Sequence, residues 1–312
     1  MAQVVVIGEI LVEIMATRIG QTFLEPGLFA GPYPSGAPAI FADQAARVGA
    51  TTAMIGCVGA DDFGTLNLNR LAGSGVDTAA IRRVPGTTTG SAFVTYRPDG
   101  GRDFIFNIAN SASAALDAAQ LEPELFRGCR YFHVMGSSLF SPQIAAAVRR
   151  GVELARAAGA RISFDPNVRK ELLSLPEVEA TIAAVLDVTD LLLPSDADLA
   201  HLCPGQEEDE ALASLLGAGR SMILLKKGAE GSVYRDRERR IAIPAFPAEE
   251  VDPTGAGDCF GGTFVACLAL GVPLERAVRL ANAAGALAVG KKGPMEGNST
   301  MSELEAFLER QP

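Results

Sequence analysis

Short runs of apolar residues with no polar residue between them constrain this chain's fold more than any other feature. The first is Val4-Val5-Val6-Ile7. A strand that reads this way has no face left for water, so it belongs in the middle of a sheet covered on both sides. The chain then alternates. Spacing predicts helices over Ala39–Val48 and Phe63–Leu71 with a strand over Thr52–Val58 between them. It predicts strand Arg130–Met135, helix Pro142–Ala158, strand Arg161–Asp165, helix Glu177–Leu186, and strands Asp190–Leu193 and Met222–Lys226. Two long helices near 257–270 and 274–289 close the pattern. Strand–helix alternation requires right-handed crossovers, hence an α/β fold with a mostly parallel sheet and helices on both faces.

Two stretches break this order. Residues 11–34 read as irregular and are rich in Gly, Pro and Phe; residues 88–108 alternate like exposed antiparallel strands around an Asp99-Gly100-Gly101 turn. Together they predict one small β-element, built from two insertions, that lies over the sheet as a lid. The expected division is a main domain of residues 1–10, 35–87 and 112–312, and a lid of 11–34 and 88–111.

Charge removes whole classes of function. With 27 basic against 37 acidic residues the net charge is −10, and the only basic clusters are pairs such as Arg82-Arg83 and Lys291-Lys292. A nucleic-acid partner is therefore not expected. No apolar stretch is long enough for a membrane span, and Glu9 and Glu13 interrupt the N-terminal run where a signal peptide would need none. Five cysteines without a Cys-x-x-Cys pair read as buried apolar groups in a reducing cytoplasm. Two histidines, His133 and His201, leave little room for a His-based metal centre.

The segment Asp252-Pro253-Thr254-Gly255-Ala256-Gly257-Asp258-Cys259-Phe260-Gly261-Gly262 carries the chemistry. Phe260, Phe264 and Leu268 recur every four residues, the stripe of a helix that starts near Ala256. Amides of Gly255 to Asp258 would then point out of a helix N-terminus with no side chain in the way, which attracts an anion. A carboxylate beside a bound phosphate can take the proton of an incoming hydroxyl. On residues alone, Asp258 could equally be a favourable charge on its own helix and the glycines a packing device. No Walker loop is present.

This segment resembles the C-terminal signature of the ribokinase/PfkB carbohydrate kinases, and other motifs agree in order. Gly8-Glu9-Ile10-Leu11-Val12-Glu13 resembles the first strand and sugar-contacting acid, and Ser35-Gly36-Ala37-Pro38-Ala39 the substrate glycine motif. Val58-Gly59-Ala60-Asp61-Asp62-Phe63-Gly64, Asp165-Pro166-Asn167-Val168-Arg169 and Lys226-Lys227-Gly228-Ala229-Glu230-Gly231 follow, with Asn282 near the last helix. The resemblance implies a ribokinase-like fold, ATP and Mg²⁺, and transfer of the γ-phosphate to a primary hydroxyl. It implies Asp258 as base and Gly255, Ala256 and Gly257 as anion hole. It places Lys226, Gly228, Gly231 and Asn282 on the nucleotide, and Glu13, Gly36, Asn107 and Arg169 on the substrate. Asp198 would hold Mg²⁺ through water, and Asp252 and Thr254 match positions that bind a monovalent cation such as K⁺ in some members. Gly228 to Gly231 also reads as a hairpin turn.

Three departures bear on the acceptor. The Asn that ends the glycine motif is Ile40, the first-strand Asp is the longer Glu13, and the Asn-x-x-Glu metal motif appears as Ser195-Asp196-Ala197-Asp198. Kinases of 2-keto-3-deoxygluconate in this family bind the substrate carboxylate through lid tyrosines and an arginine; the matching places hold Ala92, Phe106 and Asn107. The wording around 37–41 and 133–138 is most similar to ketohexose kinases, with D-tagatose or D-fructose giving a 6-phosphate. A sugar acid, ribose or a nucleoside are the alternatives, and a non-catalytic sugar or nucleotide sensor on the same fold is the reading from another class. The intact Asp258 and the Gly-Ala-Gly before it favour the enzyme. A homodimer through the lid is expected, with Phe23, Leu24, Leu28, Phe29 and Tyr33 as its apolar surface.

Overall fold

The computed structural model of the protein describes residues 1–168 and 176–311. Strand β1 (Val4–Ile7) leads directly into β2 (Leu11–Ile19) and β3 (Phe29–Ser35). Helix α1 (Ala37–Arg47), β4 (Thr52–Gly59), α2 (Asp62–Gly73), β5 (Val76–Asp77) and β6 (Ile81–Val84) follow. Then come β7 (Gly90–Tyr96), β8 (Arg102–Asn107), β9 (Tyr131–Met135), α3 (Pro142–Ala157), β10 (Arg161–Asp165) and α4 (Pro176–Asp187). Next are β11 (Leu191–Leu192), α5 (Asp196–Leu202), α6 (Glu208–Gly217) and β12 (Met222–Lys226). The chain closes with β13 (Ser232–Arg235), β14 (Arg240–Ile243), α7 (Ala256–Leu270), α8 (Leu274–Val289) and α9 (Met301–Leu308).

The large sheet runs β14-β13-β12-β11-β10-β9-β1-β4-β5, with β6 also on β4. From β12 to β5 every pairing is parallel; the β12–β13–β14 edge is antiparallel. The β1 run explains itself here. Val4 and Val6 enter one core with Phe41 and Phe264, while Val5 and Ile7 enter the other with Phe126 and Phe132. Each such aliphatic side chain, fully removed from water, contributes roughly 1.5–3 kcal/mol. Among the described residues no helix is long and apolar enough to cross a membrane.

The second sheet, β3-β2-β7-β8, holds the expected β-element, but one expectation needs correction: within residues 11–34 only 20–28 are irregular, and the rest are strands. Strands β2 and β3 pair antiparallel, and β2 also pairs parallel with β7. Pro32 and Pro34 hide the strand in the sequence, yet β3 is an edge strand, where a missing N–H need cost no ladder bond. The Asp99–Gly101 turn is as expected: Gly100 takes φ +83° and the Gly101 amide donates to Asp99 Oδ1 at 2.8 Å. Helices α5, α6 and α9 and the β13–β14 edge were not foreseen from spacing.

Candidate active site

A cleft of ≈ 710 Å³ opens between the two sheets. Its floor comes from the C-terminal ends of β10 and β12 and from the start of α7, where α/β sheets place their ligands. Its roof is the inner face of the lid, with Leu11, Glu13, Arg102, Phe104 and Phe106.

Helix α7 begins at Gly255, which sits at φ +80°. A Cβ there would also lie 2.4 Å from the Pro294 carbonyl oxygen, so both backbone and neighbour demand glycine. No side chain caps this end. Gly255, Gly257 and Asp258 line the cleft, and an added Cβ on Gly257 would meet nothing nearer than Lys226 Nζ, at 3.8 Å. The first-turn amides of a helix have no acceptor within it, so this end is open to an anion. Ala256 is turned aside: it does not line the cleft, and its amide donates to Pro253 O at 3.4 Å.

Lys226 ends β12 with its ammonium against the Asp165 carboxylate at the end of β10. Burial alone would lower its pKa, but the charges of Asp165 and Asp198 outweigh it and hold the ammonium above its ordinary value. A protonated lysine therefore stands beside the open end of α7. Asp198 is buried and fully engaged: Oδ1 accepts from the Val168 amide (2.8 Å), and Oδ2 from the Ser195 amide (2.8 Å) and hydroxyl (2.6 Å). Among the described residues no group of three His, Cys, Asp or Glu side chains could enclose a metal ion. Asp198 itself lines the cleft, where the resemblance expects a carboxylate near the metal.

Across the cleft lie two buried carboxylates. Glu9 accepts from the hydroxyls of Ser137 and Ser138, and Glu13 Oε1 from Ser35 Oγ at 2.7 Å. Gly36 opens α1 between them; at φ +109° its Cβ would strike the Glu9 carbonyl at 2.6 Å. Asn167, the one non-glycine residue described with positive φ (36°), also lines the cleft. Above them Phe104 and Phe106 stack at 5.1 Å.

Of the residues expected from the sequence, Glu13, Gly36, Asp198, Lys226, Gly228, Thr254, Gly255, Gly257 and Asp258 line this one cleft. Asn107 does not. Strand alternation turns Arg102, Phe104 and Phe106 inward and Asp103, Ile105 and Asn107 outward, so Asn107 is exposed. Gly231, in the β12–β13 turn, is required by a neighbour, since a Cβ would lie 2.1 Å from Ile243 O at the end of β14. Asn282 is buried off the cleft, its amide nitrogen donating to Ser232 Oγ (2.7 Å) and Val278 O (2.9 Å). Asp252 also stands off it, accepting from the Thr254 and Gly293 amides at 3.1 and 3.0 Å. Arg169 lies outside the described residues. Spacing missed Arg102 and Phe104 as lining residues and left Glu9 as part of a motif; period-two alternation from Phe106 would have found the first two.

The sequence profile described as pfkB family carbohydrate kinase matches residues 1–301. The chain is 34% identical to Fructokinase-1 of Oryza sativa subsp. japonica over 98% of this chain and 97% of that protein. It is 48% identical to an E. coli protein provisionally assigned as Ribokinase II, solved with ATP and Mg²⁺, with TM-score 0.95 and both chains covered completely. The fructokinase of Vibrio cholerae O395, solved with fructose, ADP and calcium, is 25% identical with TM-score 0.86 over 99% of each chain. A match running from residue 1 to 301, with relatives above 30% identity along nearly their whole length, makes this chain a member of the pfkB family: it is a carbohydrate kinase.

Proposed function

We propose that this carbohydrate kinase transfers the γ-phosphate of ATP to the primary hydroxyl of a neutral ketohexose, D-fructose, giving the 6-phosphate. One observation carries the reading: Asp258 and the open end of α7 face the same cleft as the buried carboxylates Glu9 and Glu13. Carboxylates accept from sugar hydroxyls, whereas a sugar acid would bring a third negative charge beside two buried ones. Fructokinases among the relatives at 34% identity support fructose over tagatose.

In this reading Asp258 takes the proton of the acceptor hydroxyl. The acceptor oxygen forms the new P–O bond, and the bond to the β–γ bridging oxygen breaks, its electron pair leaving with ADP. Amides of Gly255 and Gly257 and the ammonium of Lys226 meet the charge on the transferring group, fixed in advance by the helix and by Asp165. Bound Mg²⁺ would neutralise phosphate charge beside Asp198. Asp252, with one amide on each carboxylate oxygen, keeps acceptor capacity and, with Thr254, would hold a monovalent cation such as K⁺ beside that turn.

The stacked Phe104–Phe106 pair supports a second acceptor, a riboside whose base would lie against it. The exposed side of the lid supports a homodimer. Phe29 contacts both Phe23 and Phe93 there, and Leu24, Leu28 and Ile105 (52% exposed) stand free of the core. Tyr33 instead packs against Gly293. Five buried, unpaired cysteines support a reducing, cytoplasmic location.

ADP release, measured with Mg²⁺ and K⁺ across D-fructose, D-tagatose, 2-keto-3-deoxygluconate, D-ribose and an aminoimidazole or purine riboside, tests the reading. D-fructose is expected to give the highest kcat/KM. Preference for the sugar acid would overturn the argument from Glu9 and Glu13, and preference for the riboside would favour the second acceptor.

A further inference from the structure

We infer that Arg102 is a catalytic residue delivered by the lid, a guanidinium that closes over the transferring phosphoryl group; the inference rests on the kinase reading above. Arg102 is the first residue of β8, immediately after the Asp99–Gly101 turn. Alternation places it on the inner face with Phe104 and Phe106, and it lines the cleft. Its Nη1 donates to Thr254 Oγ1 at 2.8 Å, across the gap between the lid and the main sheet. Thr254 is the residue just before Gly255, so the guanidinium lies beside the open end of α7.

The two carboxylates nearest in sequence, Asp99 and Asp103, both pair with Arg97 on the outer side of the turn, at 3.3 and 2.5 Å. Among the described residues Arg102 forms no ion pair, and its bond to Thr254 uses a single donor of five on a neutral hydroxyl. The Phe104 ring lies 5.5 Å from its Cζ and holds the plane from below. A partly buried guanidinium, a positive helix end and the Lys226 ammonium border the same cleft, so an anion bound there meets all three. A transferring phosphoryl group, with charge spread over three oxygens, is the anion that fits a planar fork beside two fixed donors.

The placement also couples acceptor to catalysis. Phe104 and Phe106 lie over the acceptor on the strand that carries Arg102, so an acceptor held beneath them keeps the guanidinium down. With the lid raised the phosphoryl site loses one of its two cations, and transfer to water is disfavoured.

Arg102→Gln, checked for native circular dichroism, is expected to lower kcat for the preferred acceptor by about 10²–10³-fold, the scale of one lost donor to developing charge. KM for ATP and for the acceptor should stay within about threefold, because the lost contact belongs to the transition state. Arg102→Lys should recover part of the loss, charge without the fork. The same variants are titrated by calorimetry with MgADP and aluminium fluoride, a mimic of the transferring group. Affinity for that mixture should fall with kcat while affinity for MgADP alone is kept. Unchanged kcat and unchanged aluminium fluoride affinity in Arg102→Gln would overturn the inference. So would a rise in KM confined to an anionic acceptor, which would make Arg102 a substrate-carboxylate contact. A wild-type protein silent on every acceptor would count against the kinase reading instead, and the aluminium fluoride titration would still decide Arg102.

Discussion

The two sheets of this protein solve opposite problems. In the large sheet, β1 sends alternate residues into two cores and every one of them is fully buried. In the lid, β8 alternates between the cleft and exposed residues, with burial switching at each step along Arg102–Asn107. A strand buried on both faces serves stability, and its side chains are interchangeable among apolar residues of similar volume. A strand with one face on a ligand and one exposed divides its residues into those that touch the substrate and those that do not. Chemistry follows the same division. Asp258, Lys226 and the first amides of α7 sit on the main-domain side of the cleft, and Arg102, Phe104 and Phe106, the groups proposed to cover the acceptor, sit on the lid.

The largest expected effect falls on the rigid side. Asp258→Asn removes the proton acceptor while keeping shape, and should lower kcat by about 10³-fold or more, within the usual range for a lost general base. ATP affinity, read by calorimetry, should not change; substantial residual turnover would take Asp258 out of the base role. A smaller effect is expected from the inner face of the lid. Phe106→Ala should raise the acceptor KM roughly tenfold, the ~1.4 kcal/mol of one aromatic contact, with kcat less affected. Equal losses in ATP KM would mean the lid covers the nucleotide. The smallest effect is expected one residue away. Asn107→Ala faces outward and should change steady-state kinetics by less than about twofold, as exposed positions usually do. A clear loss of acceptor affinity would show that β8 turns its other face inward when substrate binds, and the contrast between its two faces would not hold.

Asn107 shows where reading a sequence stops. It was placed on the acceptor because it matches a family position, but side-chain direction in a strand is decided by register with β7, where Asn107 pairs with Ser91 and Phe106 with Ala92. Gly231 and Asn282 are similar. Both fall in motifs, yet one makes room for Ile243 and the other joins α8 to β13. Gly255 is the opposite case. Its place before the α7 stripe predicted a bare helix end, and its left-handed φ and the close Pro294 carbonyl agree with that reading.

By itself the sequence determined the layered α/β fold, the start of α7 and its bare N-terminus, because strand period, helix period and glycine conformation are local properties carried by neighbouring residues. The tertiary structure decided what depends on distance between remote segments. It made strands of Leu11–Ile19 and Phe29–Ser35 by pairing them with each other and the first with β7. It set Lys226 against Asp165, 61 positions away, beside the end of α7. It also brought Arg102 to Thr254 across 152 positions of chain. No local pattern encodes such a meeting, since it is fixed only when the two sheets pack and leave a cleft between them.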